Sequence, residues 1–210
     1  MSVERSQPYI KNTQTLKSAL ELYKKNSELC ALCWTPIQHC EVVLRNMIDK
    51  ALVVAYGENW LVQTVFLNTL KEYKRHKIDT SIKKFMRKNK SLEFNRNQVV
   101  ADLELSFWQE ITSKKYLNRV WVKAIDAVFP NRPKNLSVEV FIKELYANIE
   151  IVRRLRNRIA HHEPIYYKNI NKAIKAIVFI LQAASSEFLE LTNPCFQPIQ
   201  DKMSDINHLL

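Results

Sequence analysis

The chain has 210 residues, of which 47% are apolar and 25% charged, which is enough to bury one hydrophobic core. It contains a single glycine, which argues against a turn-rich β fold, excludes a glycine-rich phosphate-binding loop and predicts an all-α protein. The net charge of +11 favours a polyanionic partner, either nucleic acid or an anionic membrane surface.

Apolar residues recur at helical spacing along most of the chain. In chain order, the predicted helices cover Thr13–Ser27, Trp34–Tyr56, Trp60–Leu70, a basic segment at about 71–96, Asn97–Thr112, Leu117–Val128, a motif helix at about 137–162 and Asn169–Leu191. The C-terminal tail, 192–210, is expected to be a loop with one short turn. We predict one domain spanning 1–210.

Three local signals set the ends of these helices. Gly57 follows the second helix, where a left-handed C-terminal cap is required. Ser137 is a suitable N-cap for the motif helix. Pro164 is expected to end or kink that helix, because proline disfavours helical geometry at the preceding residue.

The cysteines near the N-terminus have two interpretations. Cys30 and Cys33 have the spacing of half a zinc site, but a second pair of ligands is missing. Together with Cys40 they also follow helical spacing, as small packing residues do. We expect free thiols, no metal and no other cofactor. The first 20 residues lack a signal-peptide apolar region and no apolar run reaches membrane-spanning length, so a cytoplasmic protein outside the membrane is expected.

The segment 71–96 carries ten positive and three negative side chains and supplies +7 of the net charge. An apolar stripe at helical spacing begins with Ile78 and Ile82, which predicts a basic amphipathic helix. Four basic side chains cluster away from the stripe, namely Lys83, Lys84, Arg87 and Lys88. The cluster is either an RNA-binding surface or an ordinary solvated helix face.

The stretch Leu155–Pro164 gathers chemically active side chains near one helix end. They are an arginine, an amide, two imidazoles and a carboxylate, at Arg156, Asn157, His161, His162 and Glu163. The spacing Arg-x4-His is the signature of the HEPN superfamily. The extended run Arg-Asn-Arg-Ile-Ala-His-His-Glu-Pro resembles the Abi-like (abortive infection) branch of that superfamily.

The resemblance extends roughly from Tyr9 to Glu190. The blocks that carry it are Tyr9–Ile10, Ala19–Tyr23, Trp34, Glu41–Asn46, Gly57–Leu61, Val99–Leu103, Phe107–Trp108, Trp121 and Phe129–Pro130. One departure is visible: where the family usually has Phe-Gly-Phe-Trp, this chain has Leu-Ser-Phe-Trp at 105–108. That change affects a packing detail and leaves the motif residues unaltered.

The resemblance implies an all-α, HEPN-type helical bundle into which the basic helical segment is inserted. It also implies metal-independent endonucleolytic cleavage of RNA by an antiphage abortive-infection or toxin–antitoxin effector. The partner that restrains such an effector is then a small structured noncoding RNA, which the basic segment could bind.

The residue chemistry fits this activity, because RNA is cut without a metal when its own 2′-hydroxyl attacks the adjacent phosphate. Histidine titrates near neutral pH, so His161 suits the role of general acid or base. Arginine presents a permanent charge and a fork of donors, so Arg156 suits phosphate binding and stabilisation of the transition state.

Further residues are expected to support this pair. Asn157 shares a helix face with His161 and can orient the imidazole or hold a phosphate. His162 or Glu163 can assist proton transfer. Glu41 and Arg45, spaced i and i+4, are either a surface ion pair or a device in which Glu41 positions Arg156 beside the motif helix.

Two alternatives to the ribonuclease are a catalytically inactive RNA-binding HEPN module that binds a structured noncoding RNA and a scaffold whose charge serves only solubility. A homodimer is predicted from helix geometry. Arg156 and His161 lie about 140° apart around an ideal helix, so one helix does not aim both side chains at one phosphate. Two motif helices related by a two-fold axis would form a shared cleft, and HEPN relatives are similarly dimeric.

Overall fold

Helices account for about 78% of the computed structural model, and residues 3–210, the part of the chain that it describes, contain no β-strand. The predicted all-α fold class is confirmed. The helices are α1 (Val3–Ile10), α2 (Leu16–Tyr56), α3 (Thr64–Leu67), α4 (Glu72–Asn89), α5 (Arg96–Asp102), α6 (Leu105–Ile111), α7 (Val122–Val128), α8 (Val138–Ala160), α9 (Ile170–Ala184), α10 (Ser186–Thr192) and α11 (Phe196–Asn207).

Helix α2 replaces the two predicted helices Thr13–Ser27 and Trp34–Tyr56, and it runs without interruption for 41 residues. The residues between the two predictions favour helix, and Pro36 is accommodated inside α2. Proline removes one backbone donor, so the carbonyl of Leu32 loses its usual partner four residues later. The prediction of a break was therefore wrong.

Two other predicted helices are divided. A 3-10 turn, Trp60–Val62, and the short α3 occupy the segment Trp60–Leu70. The segment Asn97–Thr112 forms α5 and α6 with extended backbone at Leu103, whose carbonyl accepts a hydrogen bond from Trp108 Nε1 at 3.2 Å. That side-chain bond satisfies the carbonyl that the helix interruption leaves unpaired.

Smaller differences concern the later helices. The segment Leu117–Val128 begins with a π-helical turn, Leu117–Trp121, which continues into α7. The predicted helix Asn169–Leu191 is interrupted at Ser185, between α9 and α10.

The C-terminal tail was predicted as a loop and is instead helical. Pro194 lies in the first turn of a 3-10 segment, Asn193–Cys195, which leads directly into α11. Proline is tolerated at the start of a helix because its missing donor has no helical partner there. Ile199 and Ile206 are buried on one face of α11, so the tail contributes to a core.

Contacts divide the chain into two compact units, which we name by their contents. The motif unit contains the chain up to Cys40 together with Asn148–Gln182 and Ser186–Leu210. The basic unit contains Glu41–Ala147 and Ala183–Ser185. Both α2 and α8 contribute one end to each unit.

The core of the motif unit uses residues spaced three and four positions apart. On α2 the buried positions are Ala19, Leu22, Asn26, Leu29, Cys33, Ile37 and Cys40. On α8 they are Ile149, Val152, Leu155 and Ile159. This spacing keeps one stripe of each helix out of water, so α2 and the end of α8 are held by packing.

Aromatic side chains dominate the core of the basic unit. Trp60, Trp108 and Trp121 are buried, and each indole donates a hydrogen bond, the first to Asp49 Oδ1 at 2.8 Å. The ring of Trp60 meets that of Phe66 edge to face, with centroids 5.2 Å apart. Because each indole N–H is hydrogen-bonded, none of the three rings leaves a buried donor unsatisfied, which would cost free energy.

Two predicted caps are confirmed. Gly57 has φ +84° directly after α2, a conformation in which an L side chain is disfavoured. Ser137 Oγ accepts a hydrogen bond from the backbone N–H of Val140 at 3.3 Å and caps α8. No helix in the described part of the chain is both long and apolar enough to cross a membrane.

Candidate active site

Arg156 lies on α8 and is partly buried. Trp34 of α2 supplies one of its contacts: the guanidinium carbon is 5.9 Å from the centroid of the indole ring. A guanidinium above an aromatic face gains electrostatic attraction and loses little of its capacity to donate. Trp34 is therefore a positioning residue for Arg156, which the sequence reasoning did not identify as part of the site.

His161 follows α8 directly, and its ring is exposed. Its backbone N–H still donates to the carbonyl of Asn157 at 2.9 Å, so the helical twist continues as far as His161. The angular separation of about 140° from Arg156 therefore applies. No distortion between these two residues brings them onto one face.

His162 ends the helix with φ +56°. Its N–H donates to Ile159 O at 3.0 Å, and the N–H of Glu163 donates to Arg158 O at 2.8 Å, which is the Schellman pattern. The left-handed residue, and not Pro164, is thus what ends α8, two residues before the predicted limit. Histidine is among the side chains that tolerate this region, although glycine would be less strained there.

Arg158 holds the loop that follows the motif. Its guanidinium donates to Pro164 O at 3.1 Å and to Tyr167 Oη at 2.7 Å, and it pairs with Glu163 Oε2 at 3.0 Å. Glu163, predicted as a possible assistant in proton transfer, is therefore engaged in an ion pair. Arg158, the second arginine of the motif, thus stabilises the loop, a role that was not predicted from the sequence.

Asn26 joins the same loop to α2. Its Oδ1 accepts hydrogen bonds from the N–H groups of Ile165 at 2.8 Å and Tyr166 at 3.1 Å, and its Nδ2 donates to Tyr9 Oη at 3.1 Å. The residue is buried. An amide within an otherwise apolar helical stripe was the available sequence signal, because a buried polar side chain requires partners.

A pocket of about 600 Å³ lies beside the motif within the motif unit. One wall is a single face of α2, at spacings of three and four residues, and includes Tyr23, Cys30 and Trp34. The other wall contains Ile159, Ala160 and His162. The exposed fractions of Tyr23 and Trp34 are 43% and 40%, so aromatic surface is open to solvent here.

The thiols of Cys30 and Cys33 are held in the protonated form by burial. Burial raises the pKa of Cys30 to about 11 and that of Cys33 to about 12. Cys33 and Cys40 are buried. Among the residues that the structure describes, no three His, Cys, Asp or Glu side chains gather closely enough to hold a metal ion.

The predicted basic segment folds as α4 and the start of α5. Among residues 3–210, five of its ten positive side chains form ion pairs within the basic unit, namely Lys74 with Glu110, Lys77 with Glu104, Lys83 with Asp79, Lys84 with Asp102 and Arg96 with Glu58. Of the predicted RNA-binding residues, Lys83 and Lys84 are thus partly neutralised. Arg87 and Lys88 form no ion pair with a described residue, and they define the more available end of the surface.

Glu41 and Arg45 both lie on the part of α2 that belongs to the basic unit. The Nε atom of Arg45 is buried and lacks a hydrogen-bond partner among the described residues. That Glu41 either pairs with Arg45 or positions Arg156 therefore stays a prediction.

The family model described as Abi-like protein matches residues 1–167. No curated protein and no solved structure matches the chain significantly. Since the match covers well over half of the sequence, the chain belongs to the Abi-like protein family, whose membership points to a role in abortive infection.

Proposed function

We propose that this member of the Abi-like family is a HEPN-type endoribonuclease that cuts RNA without a metal ion and acts as an abortive-infection or toxin–antitoxin effector. The observation that carries the proposal is the end of α8, where an arginine braced by an aromatic ring and a solvent-exposed histidine lie five residues apart. Between Glu150 and Lys168 there are five positive and two negative side chains, and this excess of positive charge favours an approaching phosphate.

The reaction uses only groups of the RNA and of the protein. His161 takes the proton of the 2′-hydroxyl, whose oxygen forms a bond to phosphorus while the bond from phosphorus to the 5′ oxygen breaks. The departing 5′ oxygen takes a proton from solvent or from a second copy of His161. Arg156 stabilises the charge that gathers on the phosphate oxygens. The products are a 2′,3′-cyclic phosphate and a 5′-hydroxyl.

A shared site between two copies of the chain completes the geometry. Because the helical twist holds as far as His161, one α8 presents Arg156 and His161 in different directions. Two copies of α8 around a two-fold axis would place the arginine of one copy opposite the histidine of the other. We therefore propose a homodimer as the working unit.

The test of the activity is cleavage of single-stranded RNA in EDTA, with identification of the new ends. Wild-type protein should leave 2′,3′-cyclic phosphates, while Arg156→Ala and His161→Ala should each abolish cleavage without changing the helical content. The matched controls are Arg154→Ala, on the same helix but largely exposed, and His208→Ala, near the C-terminus. Cleavage that requires an added divalent metal, or that persists in both motif variants, would contradict the proposal.

The shared site is tested by mass and by mixing. Light scattering should give about twice the 24.8 kDa mass of one chain. A mixed dimer of Arg156→Ala and His161→Ala chains retains one arginine and one histidine from different copies. Recovered activity would show that one pair suffices, and a stable but inactive mixed dimer would show that a single arginine–histidine pair is not enough. Full activity in a strict monomer would refute the dimeric site.

The alternative of an inactive RNA-binding module makes a different prediction in the same experiments. Such a protein would bind RNA with the salt dependence of phosphate contacts and leave it intact. A small structured noncoding RNA is the proposed restraining partner, and adding it should inhibit cleavage if the protein is the toxin.

A further inference from the structure

We infer that the pocket beside the motif takes an unpaired RNA base, so that the substrate class of the proposed ribonuclease is single-stranded RNA. The inference rests on the proposed function, because it places the base next to the phosphate that Arg156 would bind. The pocket volume of about 600 Å³ lies inside the range of roughly 300–1,000 Å³ typical of ligand sites.

The pocket wall presents exposed aromatic surface. Tyr23 and Trp34 are large aromatic side chains left more than one third exposed, on one face of α2 and at opposite ends of the same wall. Tyr9, which also lines the pocket, meets Tyr23 edge to face with ring centroids 5.3 Å apart. Packed rings of this kind are rigid platforms on which bases stack.

Few lining groups other than the His162 imidazole and the Tyr23 hydroxyl are available to read the edge of a base. The amide of Asn26 is occupied by Ile165, Tyr166 and Tyr9. Ser27 Oγ donates to the carbonyl of Tyr23 at 3.0 Å, and the Cys30 thiol stays protonated because burial raises its pKa to about 11. Recognition by stacking, with weak sequence preference, is what such a pocket supports.

The pocket also adjoins a positively charged side chain. Trp34 lines the pocket, and its ring also contacts the guanidinium of Arg156. A base on the aromatic wall therefore brings its own phosphate towards a positive group. A base paired in a duplex cannot leave its helix to enter the pocket without losing its partner, so duplex RNA is a poor occupant.

The binding test uses the tryptophan distribution of this chain. Trp60, Trp108 and Trp121 are buried, so the emission that a bound base can quench comes from Trp34. The probe is a single-stranded oligoribonucleotide with 2′-O-methyl groups, which cannot be cleaved through the 2′-hydroxyl. It should quench Trp34, whereas the same sequence as a duplex should not.

Variants separate stacking from the positioning of Arg156. Because Trp34→Leu and Trp34→Phe remove the reporting indole, the affinities of all variants are measured by the fluorescence anisotropy of a dye-labelled probe. Tyr23→Leu and Trp34→Leu should each weaken binding of the probe by roughly 5- to 150-fold, the range for loss of one base–aromatic stack. Trp34→Phe keeps a ring and should restore most of the affinity. The matched control is Tyr146→Leu, an exposed tyrosine of the basic unit, which should bind like wild type. Circular dichroism checks that each variant is folded.

The outcomes distinguish this inference from the proposed function. Unchanged affinity in folded Tyr23→Leu and Trp34→Leu chains, or equal quenching by the duplex, overturns the base pocket even if RNA is cleaved. Quenching with the expected loss in the variants supports the base pocket even if unmodified RNA stays intact, in which case the ribonuclease proposal falls. A pocket that binds no RNA but binds a peptide overturns the inference as well.

Discussion

Replacing Asn26 by leucine should destabilise the motif unit more than any other single change in the polar contacts of the site. The leucine removes the acceptor for the buried N–H groups of Ile165 and Tyr166 and the donor to Tyr9 Oη. Each buried group left without a partner costs about 1–3 kcal/mol. We therefore expect the free energy of unfolding to fall by roughly 3–5 kcal/mol, which lowers Tm by about 10 °C for a chain of this size.

The assay combines thermal unfolding, followed by circular dichroism, with hydrogen exchange. Protection of the Ile165 and Tyr166 amides should fall on the order of 100-fold in Asn26→Leu, because the local opening energy falls with the lost bonds. Asn26→Asp keeps the acceptor and should lose less. Ser27→Ala, at the adjacent exposed position, should change stability by no more than about 0.5 kcal/mol. Wild-type Tm and amide protection in Asn26→Leu would refute the reasoning.

Two other predictions concern the end of α8 and the basic helix. His162→Gly should raise the free energy of unfolding by roughly 0.5–1 kcal/mol, because glycine accepts the left-handed φ of +56°. His162→Val should lower it by about 1–2 kcal/mol. Denaturant unfolding measures both variants, and equal stabilities would contradict backbone strain at His162. Paired replacement of Arg87 and Lys88 by glutamine should reduce the slope of log K against log salt for single-stranded RNA by about 1.4. The pair Lys83 and Lys84, already bound to Asp79 and Asp102, should reduce it less, and the reverse order would disprove the role assigned to their ion pairs.

The helical fold was predictable because its signals are local. A single glycine, apolar residues at helical spacing and the caps at Gly57 and Ser137 all depend on neighbouring residues. The errors occurred where a side-chain contact that helical periodicity does not predict decides the local structure. Leu103 leaves the helix because the Trp108 indole satisfies its carbonyl. The tail is helical because burial of Ile199 and Ile206 stabilises the helix.

The motif residues of the candidate site could be predicted from the sequence, but the side chains that surround them could not. Arg156 and His161 could be identified from their spacing, since that spacing is local and carries the family resemblance. Trp34 and Asn26 could not, because they lie more than 100 positions earlier in the sequence and reach the motif only through packing. The ion pairs of the basic cluster could not be predicted either, because they join different helices, as Lys84 and Asp102 do.

The contacts around the end of α8 connect the fold to the proposed chemistry. A histidine that must meet a phosphate held by another copy of the chain gains from a fixed helix end, because a displacement of about 1 Å can cost roughly 100-fold in rate. Arg158 and Asn26 hold the loop that begins two residues after His161, and neither needs to touch RNA to do so. The polar bonds of this loop therefore serve the exposed imidazole: they order the backbone that carries it, while leaving the ring itself open to solvent.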